Sequence, residues 1–254
     1  MEENRTHISQ FETRENEITP PDLRADFVRH GKPSYTTEEA EEGNFEGELT
    51  VEGQEQARAS ARKLAATIDR DGELVVFWSS PKRRAQQTTM IMKNVFDEAG
   101  IPSMEDVRTI QSLSDVRVSK EFIDKLQSTS AQNLMQYWAE TESPDGAEKP
   151  ADVKHRVERV ITYLERIART IKPTDGRKLH FICVGHEEIF ESLLEEGCAM
   201  GLRDQSGPVY GEVMSVGIKT SAATSGAVLD LSFRGKNARL NFDKEKRKFE
   251  NVSE

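Results

Sequence analysis

Three short stretches of this 254-residue chain carry side chains suited to chemistry on an anion. Arg29-His30-Gly31 follows the apolar run from Leu23 to Val28. It sets an imidazole, a nucleophile, beside a guanidinium, which favours groups with several anionic oxygens, phosphate most simply. Ser79-Ser80-Pro81-Lys82-Arg83-Arg84 follows a second apolar run and opens a helical pattern. Gly185-His186 follows a third. Two imidazoles, an arginine pair and a helix N-terminus together would form a pocket for a dianion.

The elements that must position these groups are legible as periodicities. Buried strands are expected over 23–28, 74–78 and 178–184, each ending at one of the three stretches. Helices are expected from Thr50, a plausible N-cap, to about Ile68, and from Lys82 to Ala99 behind Pro81. Shorter helical patterns cover 119–127 and 130–140. A long one runs over 151–171, with Val153, Val157, Val160, Ile161, Leu164 and Ile167 at core spacing, and another over 187–202. The tail alternates as strands do, over 212–219, 227–233 and 238–242. Strand and helix alternate through the first 200 residues. That predicts a three-layer α/β/α sandwich, with a mostly parallel central sheet, helices on both faces and a C-terminal β-hairpin. Open α/β folds keep their active sites at the carboxyl edge of the sheet, where all three stretches fall.

Residues 1–21 read as a polar, flexible arm, 22–243 as one domain with a helical insert or cap over 116–147, and 244–254 as a charged, frayed tail. The net charge of −10 argues against binding to nucleic acid, which needs a basic surface. No apolar run is long enough to span a bilayer, and the N-terminal residues have no apolar signal core. Cys183 and Cys198 form no CxxC pair and offer neither a disulfide framework nor a zinc module, so the expected compartment is the reducing cytoplasm.

These motifs, in this order over residues 23–202, resemble the histidine phosphatase superfamily, also called the phosphoglycerate mutase-like family. Phe27-Val28-Arg29-His30-Gly31 is similar to its opening strand and signature. The stretch Leu49-Thr50-Val51-Glu52-Gly53-Gln54-Glu55-Gln56-Ala57 is similar to its LTxxGxxQA helix start. Ser79 to Thr88 is similar to its SSPxxRAxQT segment, and Val184-Gly185-His186 to its VxH close. The resemblance implies a phosphatase that hydrolyses phosphomonoesters through a phosphohistidine on His30, with no metal and no cofactor. Arg29, Arg84 and His186 would hold the phosphate oxygens. The proton donor is expected at Asp115, in the place of a family glutamate, with Glu187 as the alternative. Thr36 or Ser34 would offer a hydroxyl to phosphate where relatives carry asparagine, and Lys32 stands near the mouth.

The expected partner is a phosphorylated small molecule or a phosphoprotein, with oligomeric state left open. The rival readings are a phosphomutase of the same family and a catalytically weak phosphate-binding regulatory module. The acidic stretch 38–48 reads as a solvent-facing loop and Arg83 as a surface charge. His180 reads as structural, His155 as solvated, His7 as part of the arm, and Trp78 and Trp138 as core or pocket wall.

Overall fold

The structure, a computed structural model, describes residues 20–42, 45–126, 131–220 and 226–251. The expected arm over 1–19 lies outside them. The chain runs β1 (Leu23–Arg29), β2 (Pro33–Ser34), α1 (Thr37–Glu42), β3 (Glu48–Leu49), α2 (Val51–Ala65), β4 (Glu73–Ser79), α3 (Arg83–Glu98) and β5 (Arg108–Thr109). A single 3₁₀ turn, Gln111–Leu113, leads into α4 (Lys120–Leu126), α5 (Ala131–Glu140), α6 (Pro150–Thr170), β6 (Lys178–Gly185) and α7 (Glu187–Cys198). Strands β7 (Val213–Thr220), β8 (Gly226–Phe233), β9 (Lys236–Asp243) and β10 (Lys248–Asn251) close the chain.

The main sheet has eight strands in the order β10-β9-β8-β7-β1-β6-β4-β5. Its β1, β6, β4 and β5 are mutually parallel, whereas β7 to β10 form an antiparallel meander on β1. The sheet is therefore evenly mixed rather than mostly parallel. The C-terminal hairpin grows to four strands, because β10 pairs with β9 from Lys248 to Asn251. That pairing takes most of the expected frayed tail into the domain.

Side-chain alternation builds the layers. On one face Phe27, Val76, Trp78 and Phe181 pack with Val157, Ile161 and Leu164 of α6 and Ile189 and Leu193 of α7. On the other, Val28, Val75, Phe77 and Ile182 pack with Ala61 and Leu64 of α2 and Met92 and Phe96 of α3. Helix α7 stops four residues short of expectation. Ala199 turns left-handed at φ 49°, and Glu191 takes the N–H of Leu202 at 2.7 Å.

The signature glycines are spacers. A Cβ on Gly31 would lie 2.2 Å from the carbonyl oxygen of Gly53, and one on Gly53 would lie 2.2 Å from that of Lys32. Backbone meets backbone there, so the start of α2 locks onto the loop behind His30. Thr50 caps α2 by accepting from Gly53 N–H at 3.0 Å. Gln56 takes the N–H of Lys32 at 2.9 Å, and Thr88 takes that of Gly31 at 3.1 Å.

His180 is structural, as expected. It is fully buried in β6, 2.7 Å from Asp26 Oδ2 and 3.4 Å from Glu73 Oε1. Arg24 also reaches Asp26, at 3.4 Å, and Ser215 donates to its other oxygen. Burial opposes charge on His180, but Asp26 and Glu73 outweigh it and raise its pKa. Burial also opposes charge on Glu73, and its bond with His180 lowers its pKa. A raised histidine stabilises in full below its ordinary value of 6.5, and that contribution is lost as pH climbs through the folded value. A lowered glutamate stabilises in full above 4.5, and that is lost as pH falls through its folded value. The cluster is therefore strongest between these two values. A melting series should show stability falling as pH rises from about 6 to 9. His180→Asn should cost about 3 kcal/mol at pH 6, much less at pH 9. An equal cost at both values would contradict this assignment.

Candidate active site

Because β1, β4 and β6 run parallel and side by side, their carboxyl ends share one edge. The sheet delivers Arg29 at the end of β1 and His30 just after it, Ser80 from the turn after β4, Arg84 from the first turn of α3, and His186 from the cap of α7. They meet in a cavity of about 580 Å³, which Asp115, Glu187 and Glu188 also line.

His30 is nearly buried, and its backbone N–H binds the carbonyl of Gly185 at 3.0 Å. Its Nδ1 lies 2.7 Å from the carbonyl oxygen of Gly31. A carbonyl only accepts, so Nδ1 carries the proton and Nε2 keeps its lone pair. That lone pair faces the cavity and accepts from Arg84 Nε at 3.1 Å. His186 has the opposite tautomer. Its Nδ1 accepts from Arg84 Nη2 at 3.1 Å, which leaves the proton on Nε2 to be donated to Ser80 Oγ at 2.8 Å. The two rings stand 4.9 Å apart. Burial, reinforced by Arg84, pushes both imidazole pKa values well down. His30 is thus a neutral imidazole held in one orientation.

Arg84 is the hub. Beyond the two histidines it binds Asp115 Oδ2 at 2.6 Å, the carbonyl of Glu46 at 3.0 Å and that of Phe45. Arg29 binds Glu187 Oε2 at 2.5 Å and the Pro208 carbonyl at 2.6 Å, and stacks 4.3 Å from the centre of the Tyr210 ring. Its Nε is buried and has no hydrogen-bond partner among the described residues. Burial raises the pKa of Glu187 against the pull of Arg29. Glu188 is pushed up to about 7 by burial and by the charges of Glu187 and Asp115.

Of the residues singled out in the sequence, Arg29, His30, Arg84, Asp115, His186 and Glu187 come together. Thr36 does not. Its Oγ1 accepts from Glu39 N–H at 3.1 Å, and its own N–H donates to Glu39 Oε2 at 2.9 Å. This is a capping box on α1, and the Thr-x-x-Glu spacing of residues 36–39 announced it. Ser34 is exposed, and Lys32 pairs with Glu52 at 2.6 Å on the surface. Arg83 is a surface charge paired with Glu48, as expected. In the acidic stretch 38–48, Glu38 is exposed, whereas the carbonyls of Phe45 and Glu46 face Arg84.

Three residues escaped the sequence reading. Glu188 lines the cavity beside its predicted neighbour. Tyr35 faces Arg84 at 5.9 Å. Arg156 of α6 clamps the carbonyls of Ser114 at 2.6 Å and Asp115 at 3.1 Å, and is itself held by Glu148 at 2.9 Å. Among the described residues, no cluster of three or more His, Cys, Asp or Glu is placed to hold a metal ion. No helix among them is long and apolar enough to cross a membrane.

The site is thus a sheet-edge cavity of an α/β protein, with two neutral imidazoles and two guanidiniums in its lining. Residues 26–205 match the family model for the histidine phosphatase superfamily, branch 1, and the chain belongs to that superfamily. No curated protein matches the sequence. Solved structures share the fold. One titled mycobacterial hydrolase 1 aligns at TM-score 0.56 and 18% identity, over 85% of this chain and 99% of its own. A mycobacterial glucosyl-3-phosphoglycerate phosphatase aligns at 0.52 and 20%, over 78% and 92%. A phosphoserine phosphatase from Entamoeba histolytica aligns at 0.50 and 15%, over 76% and 90%.

Proposed function

We propose that this protein hydrolyses phosphomonoesters of small molecules through a phosphohistidine on His30. The observation that carries the reading is the bond from Nδ1 to Gly31, which aims the Nε2 lone pair at the Arg84 guanidinium. Phosphate entering there takes over Arg84 and Arg29 and displaces Asp115 and Glu187 from their ion pairs. A dianion beside His186 Nδ1 favours a proton there, so this ring turns from acceptor to donor. His30 Nε2 then bonds to phosphorus as the ester P–O bond breaks. Asp115, released from Arg84, takes a proton from the entering phosphate monoanion and passes it to the departing oxygen. In the second half a water gives its proton to Asp115 and attacks phosphorus, the N–P bond breaks, and His30 recovers its lone pair. Arg29, Arg84 and His186 balance the charge on the equatorial oxygens throughout. Two buried, unpaired cysteines suit a reducing compartment, and we place the protein in the cytoplasm.

Rapid acid-free quenching during turnover, followed by peptide mass mapping, tests the intermediate. One phosphoryl group should ride on the peptide bearing His30, and steady turnover with no such adduct would sink the mechanism. The acid is tested by leaving-group dependence. Asp115→Asn should lose about 10²- to 10³-fold on alkyl phosphates, and less than about tenfold on 4-nitrophenyl phosphate, which needs no proton. Glu187→Gln should not show that split. If the split follows Glu187 instead, the acid is the residue after His186.

A further inference from the structure

The phosphate group of a substrate fills only the end of the cavity bounded by His30, Arg84 and His186. The remainder is walled by Phe122, Met135 and Trp138 of the insert and by Leu202, Val209 and Tyr210 of the segment leading to β7. Trp138 is fixed by its indole N–H, which donates to the carbonyl of Glu148 at 2.7 Å. This apolar wall favours an apolar alcohol.

The charges are uneven. Among the described residues the cavity is lined by two guanidiniums, Arg29 and Arg84, and by three carboxyl groups. Each guanidinium already has its own carboxylate, Glu187 for Arg29 and Asp115 for Arg84. Glu188 is left over. It is 9% exposed, and its Oε2 is buried with no hydrogen-bond partner. The buried Ile189 and Phe190 that follow fix its turn of α7 against the core. A buried polar group without a partner is costly, and a carboxylate most of all. The upward pKa of Glu188, to about 7, reflects that unmet need.

We propose that the leaving-group half of the cavity selects a phosphomonoester whose alcohol is apolar and bears an ammonium group, with Glu188 as the partner of that ammonium. The proposal rests on the phosphate-site reading above. An ammonium meets Glu188 and gains from Trp138, which with Glu188 lines both this cavity and a smaller neighbouring one. A second anion on the leaving group would instead find a surplus carboxylate and no free cation, so the site discriminates against it.

The test uses three benzylphosphonates, which cannot be hydrolysed, carrying aminomethyl, hydrogen or carboxylate at the para position. Their binding to wild type and to His30→Ala is measured by calorimetry at pH 7.5, with inorganic phosphate as reference. The aminomethyl compound should bind about tenfold tighter than the unsubstituted one, and the carboxylate compound about tenfold weaker. In Glu188→Gln the aminomethyl advantage should shrink to within about twofold. Phosphate binding with the carboxylate compound tightest would overturn this proposal alone, as would an aminomethyl advantage that survives in Glu188→Gln. Failure of phosphate and all three phosphonates to bind would overturn the phosphate-site reading with it. The wild-type ranking decides the matter even if the variant does not fold.

Discussion

His30→Ala is expected to cut phosphate release by about 10⁴-fold or more, with the fold and the binding of inorganic phosphate retained. No neighbour can take over the attack. His186 stands 4.9 Å away, ring to ring, but its proton is committed to Ser80 and its free nitrogen is bound to Arg84. Of the three carboxyl groups nearby, Glu187 and Asp115 are held by arginines, and Glu188 is buried in the first turn of α7. The phosphate seat survives because Arg29, Arg84 and His186 are anchored by contacts besides those with His30: the Pro208 carbonyl, the Glu46 carbonyl and Ser80. Steady-state release of phosphate from an aryl ester, paired with calorimetric binding of phosphate, reads both halves. A variant that keeps a tenth of wild-type turnover would remove His30 from the nucleophile's role.

Arg84→Ala is expected to lose about 10³-fold in kcat/KM, or about 4 kcal/mol of transition-state stabilisation. The residue touches the nucleophile, the second imidazole and the acid with one rigid group. Lysine should restore little, because a single ammonium cannot span three directions at once. The loss should not add to that of Asp115→Asn, since the two side chains share an ion pair. A double variant falling to the full product of the two single losses would contradict the shared role. Thermal melts are needed beside the kinetics, because Arg84 also tethers Phe45 and Glu46, and its removal frees that segment.

Local chemistry was the legible part of the sequence. Strands ending in Arg29-His30, Ser79-Ser80 and Gly185-His186 could be read from apolar runs that stop at polar groups. The spacing of Thr50, Gly53 and Gln56 carried the start of α2 and its grip on the loop at Lys32. The lateral order of strands was not legible, because nothing in β7 to β10 encodes whether they cap the sheet as a hairpin or extend it as a meander. Glu188 went unread for a similar reason. Two adjacent glutamates at a helix start look alike, and only the phase of α7 against the sheet turns both toward the cavity. Arg156 sits in a helix full of charge, and its burial depends on the distant loop at Ser114 and Asp115. Thr36 shows the reverse failure. A hydroxyl near the signature was read for its chemistry, when its spacing to Glu39 was a folding signal.

The ion pairs of the empty cavity bear on what happens after turnover. Arg29 and Arg84 are never bare, so a ligand enters by exchange and must outcompete a carboxylate at each of them. The same exchange runs backward once the ester is gone. On the proposed mechanism Glu187 and Asp115 then reclaim their arginines, and inorganic phosphate loses its hold.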